Sequence, residues 1–143
     1  MIPDFDEYGN LPVGTHSCTF DEFYTRFRVN AHRSSLCEKF EIILRIARNC
    51  GFLAVLVGGS FATAKETPRD MDLTWLTEID VDKERVKPEC LALMDDAAAQ
   101  AESGWSMMYL PIDHDQERIA HWGRELGFCH YTRRNRGTLY IEL

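Results

Sequence analysis

The run Phe52-Leu53-Ala54-Val55-Leu56-Val57 is short, apolar and rich in branched residues, and it stops on Gly58-Gly59-Ser60. That pattern predicts a buried strand that turns sharply, which puts a sheet at the centre of the fold. Residues Phe61 to Glu66 then suit a short helix. A helix starting directly after Gly59-Ser60 aims free backbone N–H groups and its positive dipole end at whatever lies above the turn, and phosphate is the usual occupant. Asp70 and Asp72 follow two residues apart. If Asp70 to Leu76 is a strand, both carboxylates share one face. Two adjacent carboxylates repel unless a divalent cation lies between them, and Mg²⁺ favours one or two carboxylates completed by water and substrate phosphate. The segment is therefore a candidate holder of a metal-bound nucleoside triphosphate.

Strand, Gly-Gly-Ser, short helix, then Asp70-x-Asp72-Leu73 opening a second strand resembles the signature of the nucleotidyltransferase superfamily that includes DNA polymerase beta, kanamycin nucleotidyltransferase and the minimal nucleotidyltransferases of bacteria. The chain also resembles a group of small bacterial members with a Leu-Pro-x-Gly-x-His opening, here Leu11 to His16. The resemblance implies an α/β (α+β) nucleotidyltransferase fold, a small mixed sheet of about four strands with helices packed on it. It implies transfer of a nucleoside monophosphate from an NTP to a hydroxyl on an RNA or tRNA end, a protein or a small molecule. Two Mg²⁺ ions are implied, with Mn²⁺ as a substitute, and so is a toxin–antitoxin or phage-defence setting. Gly58, Gly59, Ser60, Lys65 and Arg69 become the nucleotide-binding candidates, and Asp70 and Asp72 the metal ligands.

The superfamily supplies a third carboxylate from a neighbouring strand, because the ion that activates the acceptor hydroxyl needs a further anionic ligand. Asp113, at the end of the expected strand Trp105 to Ile112, is the candidate. Asp115 lies two residues on but is better explained as a helix cap, Glu142 alternates with apolar residues, and His114 reads as a cap or surface residue. Crowding of three carboxylates predicts a raised pKa on at least one of them in the metal-free protein. Lys65 is the one basic residue in the helix after Gly-Ser. A separate helical domain to cover the base or acceptor is not evident, so a partner protein or homodimer is expected to supply it. The alternative is a catalytically silent binding module or antitoxin subunit.

At 143 residues with 45% hydrophobic and 27% charged residues, the composition suits one soluble globular domain. No apolar run approaches the ~20 residues that span a bilayer, and the acidic start Met1 to Glu7 is unlike a signal peptide, so a cytoplasmic protein is expected. The net charge of −7 argues against a surface that grips long nucleic acid. His130 to Gly137 nevertheless gathers Arg133, Arg134 and Arg136 beside Tyr131, which reads either as a solvated turn or as a phosphate-binding or RNA-facing patch. The cysteines Cys18, Cys37, Cys50, Cys90 and Cys129 are scattered and form no Cys-x-x-Cys pair, so reduced, mostly buried thiols are expected.

Residues 1–18 are punctuated by Pro and Gly and are expected to be an extended segment, with one domain over 19–143. A capping box at Thr19-Phe20-Asp21-Glu22 predicts a first helix, and a second box at Ser35 to Glu38 predicts a longer one closed by Gly51. Helical character is expected over Asp80 to Val86 and from Pro88 to Ala101. Asp115 is placed to cap a helix carrying Ile119, Trp122 and Leu126 and ending at Gly127. Thr138 to Leu143 alternates and predicts a last strand on a sheet edge.

Overall fold

The computed structural model describes residues 1–78, 82–112 and 114–143. Among the described residues a five-stranded mixed sheet forms the middle layer of an α/β architecture. Its strands are β1 (Thr15–Cys18), β2 (Ala54–Gly58), β3 (Asp72–Leu76), β4 (Ser106–Leu110) and β7 (Thr138–Glu142), in the order β1-β7-β2-β3-β4. The two outer pairs, β1 with β7 and β3 with β4, are parallel, whereas β2 runs antiparallel to both of its neighbours. A separate two-stranded ribbon pairs β5 (Phe128–Cys129) with β6 (Arg134–Asn135).

Side chains alternate across the sheet, so each strand feeds two cores. Val55, Val57, Leu73, Trp75, Leu139 and Ile141 point to one face, against α1 (Phe20–Phe27) and α2 (Ala31–Asn49). Ala54, Leu56 and Leu76 point to the other, where Ile119, Trp122 and Leu126 of α5 (Gln116–Gly127) cover them. α3 (Pro88–Leu93) and α4 (Asp96–Ser103) contribute Leu93 and Ala99 to the larger core.

The helix caps explain where most helices begin. Thr19 and Glu22 form the reciprocal capping box of α1, with bonds of 3.1 and 2.8 Å. Asp115 caps α5 by accepting from the Arg118 N–H at 3.0 Å. For α2, however, the cap is Asn30, accepting from the Arg33 N–H at 2.8 Å, so the helix opens four residues before Ser35. Gly51, at φ +75°, ends it as expected. The segment from Pro88 is two helices rather than one, because Asp95 accepts from the Ala98 N–H and starts α4 afresh. Lys83–Arg85 is a single 3₁₀ turn, and residues 79–81 of the expected Asp80–Val86 helix lie outside the described residues.

The last strand is not on an edge. β7 lies between β1 and β2, because the N-terminal segment supplies β1 and pairs alongside it. The thiol expectation is also corrected: Cys50, at the C-terminus of α2, is disulfide-bonded to Cys90 in α3, while Cys18, Cys37 and Cys129 are free and buried. No helix among the described residues is long and apolar enough to cross a membrane.

A candidate phosphate and metal cleft

β2 ends at Gly58, opposite Asp72 in the ladder with β3. The chain then makes one 3₁₀ turn, Gly59–Ala62, and becomes extended at Thr63. The helix expected over Phe61–Glu66 is thus replaced by a turn that begins two residues earlier. Its first N–H groups have no acceptor within the turn, but a turn of this length has little macrodipole, so any hold on an anion rests on individual N–H groups. Gly59 sits at φ +68°, and a Cβ there would overlap the Asp72 carboxylate. Only glycine both adopts that backbone and lets Asp72 lie against the turn.

β3 begins at Asp72 rather than at Asp70, and Asp70 precedes it outside any regular element. Both carboxylates nevertheless line one cleft of about 980 Å³, together with Gly59, Ser60, Lys65 and Arg69. Gly58 lies beneath the cleft instead, and a Cβ there would press into Leu126 of α5. Asp113 lies outside the described residues. Among the described residues no three His, Cys, Asp or Glu side chains converge as a metal cage. Asp115 is occupied as a cap, and Glu142 is exposed at the end of β7.

The Asp72 carboxyl is pushed above its ordinary range, first by burial and next by the charge of Asp70, with Arg136 pulling the other way. A half-buried carboxylate with a like charge beside it is an electrostatic deficit that a cation relieves. Lys65, Arg69 and Arg136 line the same cleft, and none of them has a carboxylate within ion-pair distance among the described residues. The Nε of Arg136 is buried without a hydrogen-bond partner. Two acids flanked by three unpaired cations form a surface suited to a polyanion carrying a divalent cation.

A model of DUF6932, a family of unknown function, matches residues 3–142. The chain belongs to that family. Comparison with curated proteins and with solved structures finds no match.

In this DUF6932 chain the turn is held from behind by a residue that the sequence reading passed over. Arg33, on α2, is 2% exposed, and its guanidinium donates to the carbonyls of Phe61 (3.0 Å), Thr63 (2.7 Å) and Lys65 (2.7 and 3.0 Å). It also lies over the Phe61 ring, 4.6 Å from the centroid. Asn30 donates to the Glu66 carbonyl at 2.9 Å and His32 bonds the Pro68 carbonyl, so the first turn of α2 fixes the whole Phe61–Pro68 segment. The available signal was its position: Arg33 stands on the stripe of Cys37, Phe40, Leu44 and Ala47, where a charged residue must find buried partners.

The Leu11–His16 opening also has a place. Leu11 is buried, its carbonyl accepts from the Gly137 N–H at 3.0 Å, and the His16 ring closes on the Pro12 carbonyl at 2.7 Å. The motif locks the entry of β1 to the exit of the β5–β6 ribbon. Its residues shape the fold next to the cleft rather than lining it.

Proposed function

We propose that this protein is a Mg²⁺-dependent nucleotidyltransferase whose substrate is a nucleoside triphosphate. The observation that carries the reading is the convergence of Gly59, Ser60, Asp70 and Asp72 with the unpaired cations Lys65, Arg69 and Arg136 in one cleft. The donor set fits the ion: two neighbouring carboxylates, one of them already burdened by burial and by the other, match the hard-oxygen preference of Mg²⁺. Bound Mg²⁺ would supply charge neutralisation on the phosphates and a lowered pKa for a hydroxyl near it.

The chain's own groups have separate tasks. Asp70 and Asp72 would hold the ion. The Ser60 hydroxyl and the leading N–H groups of the Gly59–Ala62 turn cradle the β- and γ-phosphates. Lys65, Arg69 and Arg136 offset charge that accumulates on the pyrophosphate as it leaves. In the transfer, an acceptor hydroxyl oxygen forms a bond to the α-phosphorus, the bond from that phosphorus to the α–β bridging oxygen breaks, and the hydroxyl proton passes to solvent. Arg33 keeps the cradle in register and touches no substrate.

The test combines binding with transfer. Melting temperature is measured with ATP, GTP, CTP and UTP, each with and without Mg²⁺, and transfer of an α-phosphate label is followed in parallel. Mg²⁺-dependent stabilisation by a triphosphate, lost in Asp70→Asn and Asp72→Asn along with labelling, is the expected result. Stabilisation without transfer to any RNA, protein or small-molecule acceptor would identify a silent binding module. Labelling that persists in both variants would overturn the assignment of the metal site.

A further inference from the structure

The β5–β6 ribbon stands at the mouth of this cleft and carries groups that the triphosphate does not use. Phe128, His130 and Tyr131 line the cleft from the ribbon, and Tyr8 lines it from the N-terminal loop on the other rim. Tyr131 is 100% exposed, Tyr8 71% and Phe128 37%. Phe128 and His130 are set edge to face with centroids 5.1 Å apart, so the freest rings at the cleft are those of Tyr131 and Tyr8. Arg133 and Arg134 follow on the same ribbon, both exposed. Between Phe128 and Arg136 there is no acidic residue, although the chain as a whole carries −7. Among the described residues no carboxylate pairs with Arg133, Arg134 or Arg136.

The base of the ribbon is rigid, so this display is held in place. The Arg136 N–H donates to the Gly127 carbonyl at 2.8 Å, and a Cβ on Gly127 would strike the Arg136 carbonyl oxygen. Gly137 is pinned against Leu11 and the Pro12 carbonyl in the same way. At the tip, the Arg133 N–H returns to the Cys129 carbonyl at 2.7 Å. Tyr131 is thus turned out to solvent by a fixed turn.

We propose that the ribbon is the docking platform for a single-stranded nucleic acid end, whose terminal hydroxyl is the acceptor in the adjoining cleft. The proposal rests on the nucleotidyltransferase reading for the acceptor role, while the binding itself does not. Open aromatic faces interleaved with unpaired arginines match a strand that offers a base and a phosphate at each step. An acidic peptide would satisfy the arginines and leave the rings uncovered, and a duplex has its bases already stacked. The overall negative charge of −7 confines the contact to a few nucleotides.

The full chain is titrated into labelled single-stranded RNA and DNA of roughly eight nucleotides, and into the matching duplexes, with anisotropy as the readout. Single strands are expected to bind and duplexes not to. Contacts of Arg133 and Arg134 to two phosphates give a slope of about −1.4 in log K against log salt, at about −0.7 per contact. Tyr131→Ala should weaken binding by about fivefold to a hundredfold, and Arg134→Ala should reduce the slope by about 0.7. Both positions are exposed, and the Mg²⁺-dependent melting shift with triphosphate should be unchanged in both variants. Absence of binding to every strand at low salt, or equal binding by parent and variants, overturns the platform. A triphosphate shift that survives such a failure leaves the nucleotidyltransferase reading standing with a protein or small-molecule acceptor. Strand binding without any triphosphate shift overturns the acceptor role instead.

Discussion

Asp72 and Arg33 show the two ways in which this chain buries charge. Arg33 is matched: its guanidinium reaches three carbonyls of the turn, so desolvation, which pulls its pKa down, is offset by hydrogen bonds. Asp72 is unmatched, and its pKa is raised by burial and by Asp70. The consequence for stability has a definite sign. A carboxyl whose folded pKa exceeds its unfolded value of about 3.9 contributes stability that is fully present below pH 4 and is lost as pH rises through the folded value. Ionisation of Asp72 therefore weakens the metal-free fold. Asp72→Asn is expected to raise the melting temperature at pH 7, by about 2–4 °C for each kcal/mol relieved, and to flatten the fall in stability above pH 4. Mg²⁺ should stabilise the parent and leave the variant unmoved. A variant that melts below the parent at pH 7 without metal would show that Asp72 is stabilised by contacts other than those described.

At the scale of elements, the disulfide joins the end of α2 to α3 and closes a loop of 40 residues. Loop-closure entropy assigns such a crosslink about 4 kcal/mol. Cys90→Ser, or reduction of the parent, is expected to lower the urea midpoint accordingly; Cys90→Ser should then be insensitive to reductant, while Cys37→Ser, which keeps the crosslink, should respond to reductant as the parent does. Equal parent midpoints with and without reductant would exclude the crosslink. No spacing rule pairs Cys50 with Cys90, which is why the sequence reads as scattered thiols. Local signals fared better. The Thr19–Glu22 box, the Asp115 cap and the Gly58-Gly59-Ser60 break are set by neighbours in sequence, and the structure keeps them. Strand order is set by distant partners. Thr138, Tyr140 and Glu142 alternate with Leu139 and Ile141 as an edge strand would, yet β7 is central, because Tyr140 packs beside α5 and β1 arrives from the other end of the chain. The candidate site divides similarly. Ser60, Lys65, Arg69, Asp70 and Asp72 fall within one short segment and could be read from it, whereas Tyr8, Phe128 and Arg136 reach the cleft only through tertiary folding.

For the molecule as a whole, the N-terminal segment completes both the sheet and the cleft. β1 pairs with β7 over Thr15–Cys18, Leu11 is 1% exposed, and Phe5 packs against Phe27 with ring centroids 6.1 Å apart. Before β1, Asn10 bridges Thr63, and the Ala64 N–H donates to the Gly9 carbonyl at 2.8 Å, so the same segment clamps the chain that leaves the Gly59–Ala62 turn. A chain starting at Thr19 would leave an open edge along β7 and a void where Leu11 packs. Loss of the Leu11 side chain alone is worth about 2–3 kcal/mol, and each lost ladder bond about 1 kcal/mol. Together these approach the roughly 5–15 kcal/mol that holds a domain folded. The exposed β7 edge would then offer its unpaired backbone to a second chain. Such a truncation is expected to melt without a cooperative transition or to run as aggregates in size-exclusion chromatography. A monomer with an unchanged sharp transition would show that residues 1–18 are an appendage and that the sheet is complete without β1.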